Sequence, residues 1–317
     1  MTTSRSLLLL VLLLPLGCRG IEPLPAPAEP AGVDVARVAL GQALFFDPRL
    51  SGTGDVACAT CHRPDHGGAE PRATSVGAGG RTGSRNAPSV FNASLKVAQF
   101  WDGRAASLEA QARGPLFAPH EMAADEGALL AWIRDDEAYR QAFTLAFPEE
   151  TGPIEVSHLT RALAAYERRL AWPGRVDRFM AGDTDALTPE ERAGYDDFSA
   201  NCAFCHDGAA VGGQRFERLG DQVEWPASRS ADLGRMEVTG DTGDRLVFVV
   251  PSLRHVGRTA PYFHDGSVAT LEEAVRLMAH HQLGETWDDA RIAHVVAFLR
   301  ALDGDIPPAL LRDPHAE

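Results

Sequence analysis

Cys58-Ala59-Thr60-Cys61-His62 and Cys202-Ala203-Phe204-Cys205-His206 state one pattern twice, C-x-x-C-H, once in each half of the chain. The spacing is that of c-type haem attachment. Two thioether links to the porphyrin need cysteines about one helical turn apart. The histidine that follows is then held under the iron as its proximal ligand. A zinc knuckle, a disulfide and a redox C-x-x-C are the competing readings. Zinc would want a matching downstream Cys or His pair, which neither motif has. A thioredoxin-like site would not recur with a histidine directly behind it each time. Two covalently bound haem c groups are therefore expected, on Cys58, Cys61 and His62 and on Cys202, Cys205 and His206.

The rest of the chain is read outward from these two motifs. Its 317 residues suffice for two domains with separate cores. A formal charge of −14 argues against nucleic acid as a partner and suits a basic electron-carrier protein. Four of the five cysteines carry haem, so no structural disulfide is expected. The fifth, Cys18, follows a basic start and an apolar run over residues 7–14 that is too short to span a bilayer. This is an export signal, and it places the protein in the periplasm. Leu16-Gly17-Cys18 resembles a lipobox, although Pro15 departs from the usual pattern. Ala26-Pro27-Ala28 is the rival cleavage site. A lipid on Cys18 would make the protein a tethered soluble enzyme.

Residues 19–32, rich in Pro and Ala, read as a flexible tether after a leader over 1–18. Helical periodicity starts near Asp34, and further helices are expected at 105–113, 125–147, 156–172, 270–281 and 288–302. Residues 63–90 carry many Gly, Pro and Asn and read as a long loop over the first haem. Pro173-Gly174 marks the boundary between an N-terminal haem domain, 33–172, and a C-terminal one, 173–306, with a tail over 307–317. Thr188-Pro189-Glu190-Glu191 has the cap, proline and acidic first turn of a helix start. A strand pair is expected around 246–250. Strand signal is otherwise scarce, and the class is all-α.

In order and spacing, LFFDPRLS (44–51), RNAPSVFNAS (85–94), AQFWDGRA (98–105), PHEMA (119–123) and TAPYFHDGSVATLEEAV (259–275) resemble the bacterial di-haem cytochrome c peroxidases. That family includes the MauG-type oxidases. The resemblance runs from about Leu40 to Asp305 and implies two cytochrome c-like helical domains with a calcium-bearing interface. It implies that the N-terminal haem meets H2O2 and that the C-terminal haem transfers electrons, with Met278 as its sixth ligand. On periodicity alone Met278 shares a face with Leu271 and Val275 and is equally a core methionine. Gln111 and Glu121 occupy the positions that orient peroxide and shuttle its proton; without the resemblance both read as surface residues. Trp101 matches an aromatic bridge between the haems, and it also reads as a core tryptophan. Asn86, Thr259 and Pro261 match Ca2+ ligands, and hard oxygen donors suit that ion. His264 matches a position near the haem interface with no iron bond.

One departure stands out. Where many relatives carry a distal histidine that closes the first iron, this chain has Ala78, and 79–83 offers no substitute ligand. The expectation is a first haem open to peroxide without reductive activation. The activity implied is that of a periplasmic cytochrome-c peroxidase fed by a small cytochrome c or a copper protein, and a homodimer is allowed for. A MauG-like oxidase that modifies a partner protein is the first alternative. A non-catalytic electron-transfer cytochrome is the second.

Overall fold

The computed structural model describes residues 20–229 and 231–316, so the apolar run and Cys18 lie outside the described residues. The described chain is mostly helical. Helices α1 (Val33–Phe46), α2 (Cys58–Cys61), α3 (Leu108–Phe117), α4 (Glu126–Asp135), α5 (Glu137–Ala146) and α6 (Val156–Glu167) belong to a first lobe. Helices α7 (Arg175–Met180), α8 (Pro189–Asn201), α9 (Met236–Thr239), α10 (Leu271–Leu283) and α11 (Asp289–Arg300) belong to a second. Two short antiparallel strands, β1 (Phe216–Arg218) and β2 (Val247–Val249), pair Glu217 with Phe248.

Each lobe has its own buried cluster. Leu44, Phe45, Leu116, Ile133, Leu159 and Leu163 centre the first. Phe198, Val275, Val295, Phe298 and Leu302 centre the second. Both clusters form around a helix pair brought close by one glycine. A Cβ on Gly41 of α1 would collide with the Ala162 carbonyl and the Tyr166 side chain of α6. A Cβ on Gly194 of α8 would collide in the same way with the His294 carbonyl and Phe298 of α11. In both cases the obstructing residues are four apart, one turn of the facing helix. The two lobes thus use the same close crossing although the only sequence repeat is C-x-x-C-H.

Local chemistry sets the helix ends. At α8 the Glu191 N–H donates to Thr188 Oγ1 at 3.2 Å, and the Thr188 N–H donates to Glu191 Oε2 at 2.8 Å. This is a complete capping box with Pro189 in the first turn. The periodicity over 125–147 is two helices and not one. Asp136 is extended and accepts from the Tyr139 N–H at 3.1 Å, which stops α4 and caps α5. The helix expected at 105–113 begins at Leu108, capped by Ser107, and runs on through Pro115 to Phe117.

The chain ends cross over. Ile306, together with the partly buried Leu310 and Leu311, packs on the first cluster, and Tyr166 Oη donates to the Leu310 carbonyl at 2.6 Å. Ile21 belongs to the second cluster and forms a parallel bridge with Gly208. The segment expected to be a flexible tether is docked at its start, where Ile21 and Leu24 are buried, while 25–32 are mostly exposed. The low content of regular structure was legible in its prolines. The two aliphatic side chains that anchor it were too sparse to register as a pattern.

Candidate functional site

Helix α2 is a single turn, and it places Cys58, Cys61 and His62 on the wall of a cavity of about 400 Å3. Cys202, Cys205 and His206 follow the end of α8 and line a second cavity of about 250 Å3. The His62 Nδ1–H donates to the Pro88 carbonyl at 3.0 Å. A carbonyl can only accept, so Nε2 keeps its lone pair for a metal. Burial lowers the pKa of His62 and pushes that of His206 down to about 4, so both imidazoles are neutral, the form that ligates iron. His206 Nδ1 is buried without a hydrogen-bond partner in normal geometry. Burial pushes the thiols of Cys58 and Cys202 up to about 12, which is the reverse of what a redox pair requires. The donor set fits two haem c groups.

Asn86, Pro88, Ser89 and Trp101 line both cavities and form their common wall. Trp101 Nε1–H donates to the Asn86 carbonyl at 2.9 Å, and the Asn86 N–H donates to the His264 carbonyl at 2.8 Å. His264 is buried, stacks on Phe248 at 4.5 Å and meets Trp101 edge-on at 6.4 Å. Thr259 and Pro261 lie on the second cavity with Asn86. Asn86 Nδ2 donates to the Arg72 carbonyl at 2.9 Å, which leaves Oδ1 as the oxygen available to a cation.

Gln111, from α3, and Glu121, from the turn after it, both line the first cavity and not the second. Burial raises the pKa of the Glu121 carboxyl, opposed by His120 and Arg104. The backbone of this turn is fixed by the loop that carries Ala78. The Ala78 N–H donates to the Glu121 carbonyl at 2.7 Å, and the Gly77 N–H donates to Arg81 O at 2.7 Å across a tight hairpin. A Cβ on Gly77 would collide with the carbonyls of His120 and Glu121. Ala78 itself is fully buried in the first cluster and does not line the cavity. His66, the nearest loop histidine, donates from Nε2 to Ala260 O at 2.6 Å across the lobe interface.

On α10, Leu271, Val275 and Met278 all line the second cavity. His280 and His281 do not line it, and the His281 Nδ1–H donates to the Val223 carbonyl at 2.9 Å. Met278 is half-buried on that cavity wall and is not among the residues of the second buried cluster.

Sequence reasoning missed several residues of the first cavity. Lys96 and Glu167 line it. Burial pushes Glu167 up to about 8 and Lys96 down to about 8, and each charge partly offsets the other's shift. Glu237 and Val238 reach the same cavity from α9 of the second lobe. A charged residue within the α6 periodicity was the only signal for Glu167. Nothing local marked the other three, which are placed by long-range packing.

The described chain is mostly helical, and each C-x-x-C-H motif lines its own cavity, with one wall common to the two. A family description, di-haem cytochrome c peroxidase, matches residues 35–185. The chain is 40% identical over 289 residues to the cytochrome c551 peroxidase of Nitrosomonas europaea, covering 90% of this chain and 85% of that one. It is 38% identical over 239 residues to the methylamine utilization protein MauG of Methylorubrum extorquens, covering 74% and 66%. Among solved structures it resembles a MauG-like protein associated with microbial copper homeostasis, with a TM-score of 0.78 and 29% identity over 93% of this chain and 96% of that one. The chain belongs to the di-haem cytochrome c peroxidase family and is an oxidoreductase of the peroxidase type with two haem c groups.

Proposed function

We propose that this is an exported, lipid-anchored peroxidase that reduces H2O2 at the first cavity with electrons received at the second. The observation that carries the reading is the asymmetry across the common wall. Gln111 and Glu121 stand on one side, Met278 on the other, and Trp101 touches both. The bound haems supply the iron redox chemistry. The chain supplies position and protons. The Gln111 amide orients the peroxide, and the Glu121 carboxylate takes a proton from one peroxide oxygen and returns it to the other as water leaves. Its raised pKa suits both halves of that transfer. His62 and His206 would hold the haem irons as neutral ligands through Nε2. Met278, on the wall of the second cavity, would supply a thioether ligand, which raises a haem's potential.

The aromatic wall at Trp101 is the route between the centres. The exposed Phe204, lying between the two cysteines of the second motif, offers a donor protein an apolar contact beside that haem. A small cytochrome c or copper protein with a basic face suits the charge of −14. Asn86, Thr259 and Pro261, which all line the second cavity, would hold Ca2+ there, with water completing the shell. The burial of Ala78 in a hairpin supports a first iron open to peroxide without prior reduction.

Turnover tests this reading. H2O2 added to the enzyme and a reduced small cytochrome c is expected to give fast, multiple-turnover oxidation. The MauG-like reading, favoured by the likeness to MauG, predicts slow turnover with covalent change in a partner protein instead. That reading calls for a tyrosine where this chain has Met278.

A further inference from the structure

Glu121 alone does not balance the reduction of peroxide. H2O2 consumes two electrons and two protons and yields two waters. Glu121 moves a proton that peroxide already carries from one oxygen to the other, and the first water leaves. The remaining oxygen still needs two electrons, which arrive from the second centre, and two protons, which come from bulk water. A carboxyl group on a cavity wall can pass those protons on only if a group outside it supplies them.

His120 is placed to do so. It directly precedes Glu121 in the turn after α3 and lines the same cavity. Its side chain is 52% exposed and that of Glu121 is 31% exposed, so the pair steps inward from solvent. His120 Nε2 stands 3.6 Å from Glu121 Oε1, one small ring rotation or one bridging water from a hydrogen bond. Among the described residues neither ring nitrogen is held by a hydrogen bond elsewhere. The turn itself is fixed: the Glu121 N–H donates to the Ala118 carbonyl at 3.0 Å, and the Glu121 carbonyl accepts from the Ala78 N–H at 2.7 Å. A Cβ built on Gly83 would lie 3.7 Å from His120 Cδ2, so the ring rests beside that backbone.

The other charged groups at this cavity are committed. Arg104, like His120, lowers the pKa of the Glu121 carboxyl. Its Nη1 donates to both Asp102 carboxylate oxygens, at 3.1 and 2.9 Å, and its guanidinium lies over the Phe100 ring at 3.4 Å. A guanidinium keeps its protons in the working range, whereas an imidazole exchanges them. Glu237, which reaches the cavity from α9, is paired with Arg85 at 3.1 Å, and the Arg81 Nε–H donates to the Ala78 carbonyl at 3.2 Å.

We propose that His120 is the proton inlet of the first cavity, an outer relay that recharges Glu121 from bulk water during each turnover. The His120 Nε2–H bond breaks as a Glu121 Oε1–H bond forms. The carboxyl passes that proton to the remaining peroxide oxygen, and the ring takes up another from water. Two such cycles deliver two protons, matched by the two electrons that cross the Trp101 wall. The relay rests on the peroxidase reading above, and His120 acts through Glu121 without touching peroxide.

The holoenzyme carrying His120→Gln supplies the test, because cleavage of the oxygen–oxygen bond uses no outside proton and completion of the turnover does. Mixing the oxidised protein with one equivalent of H2O2 should change the spectrum of the first centre at the parent rate. Steady-state turnover with excess peroxide and a saturating reduced small cytochrome c should fall about tenfold, less than loss of Glu121 itself, since water still reaches the carboxyl. The ratio of turnover in H2O to that in D2O should rise. A readout without turnover is infrared titration of the Glu121 carboxyl in the oxidised protein, assigned by its loss in Glu121→Gln. Removing the imidazole should move that titration to higher pH.

Turnover equal to the parent's overturns the relay, as does a carboxyl titration that stays in place. Slowing of the one-equivalent reaction by the same factor as turnover makes His120 a mere support for Glu121 and overturns it too. A parent chain that shows no multiple turnover sinks the peroxidase reading and the relay with it, whereas an active parent with an indifferent variant sinks the relay alone.

Discussion

The two cavities begin from the same five-residue pattern and the same kind of glycine-crossed helix pair, yet they differ in the side chains that face their histidines. The first collects Gln111, Glu121, Lys96, Glu167 and Arg104. The second collects Leu271, Val275, Leu299 and Met278. C-x-x-C-H fixes only how a haem is attached. What the haem then does is set by side chains that other elements bring to the opposite wall. On the proposed reading, Glu121 beside one centre moves protons, while a more apolar wall with one thioether suits the other to electron transfer.

The largest expected break in that contrast is at Glu121. Replacing it with Gln should lower peroxide turnover by about 10²–10⁴-fold, as loss of a general acid–base does. Reduction of the second haem by a donor should be unchanged, and stopped-flow mixing reads both quantities. The mirror experiment is Met278→Ala. Redox titration should show the second centre's potential falling, within the roughly 0.8 V that axial ligands span. The ferric spectrum of the first centre should not move.

Gly77→Ala tests whether the hairpin positions Glu121. Its Cβ would push on the carbonyls of His120 and Glu121, and a displacement of about 1 Å is expected to lower turnover by up to about 10²-fold. The KM for the donor protein should not change. The smallest effect is a pH limb. The Glu121 pKa lies above its ordinary value of 4.5 because burial disfavours the charged form. The carboxylate that accepts the proton is thus depleted as pH falls through that raised value. Turnover should decline on the acid side earlier than for an exposed glutamate, and the limb should be absent in Glu121→Gln.

The sequence made one half of this contrast easier to read than the other. Cys58, His62, Cys202 and His206 are legible because attachment is a local affair of five residues. Met278 is half legible: helical periodicity puts it on the face of Leu271 and Val275, and the cavity confirms that face. Lys96, Glu237 and Val238 carry no local signal, because their place in the first cavity comes from packing between the lobes. The segment before α1 reads as loose chain because its two anchors, Ile21 and Leu24, lie among prolines and alanines. Its hydrogen-bond partners, Asp177 and Gly208, are more than 150 residues away, as the 153-residue separation of Leu24 and Asp177 illustrates. The break at Asp136 was overridden by continuous periodicity on both sides of a single capping aspartate.

The account turns on a first centre that is open while the second is closed. Electron paramagnetic resonance and absorption of the fully oxidised protein, with H2O2 added stepwise before any reductant, measure this directly. The account predicts one high-spin or water-exchangeable ferric signal that changes at once with peroxide, beside one low-spin signal from the His206 and Met278 centre. Two low-spin signals that ignore peroxide until the protein is partly reduced would contradict it.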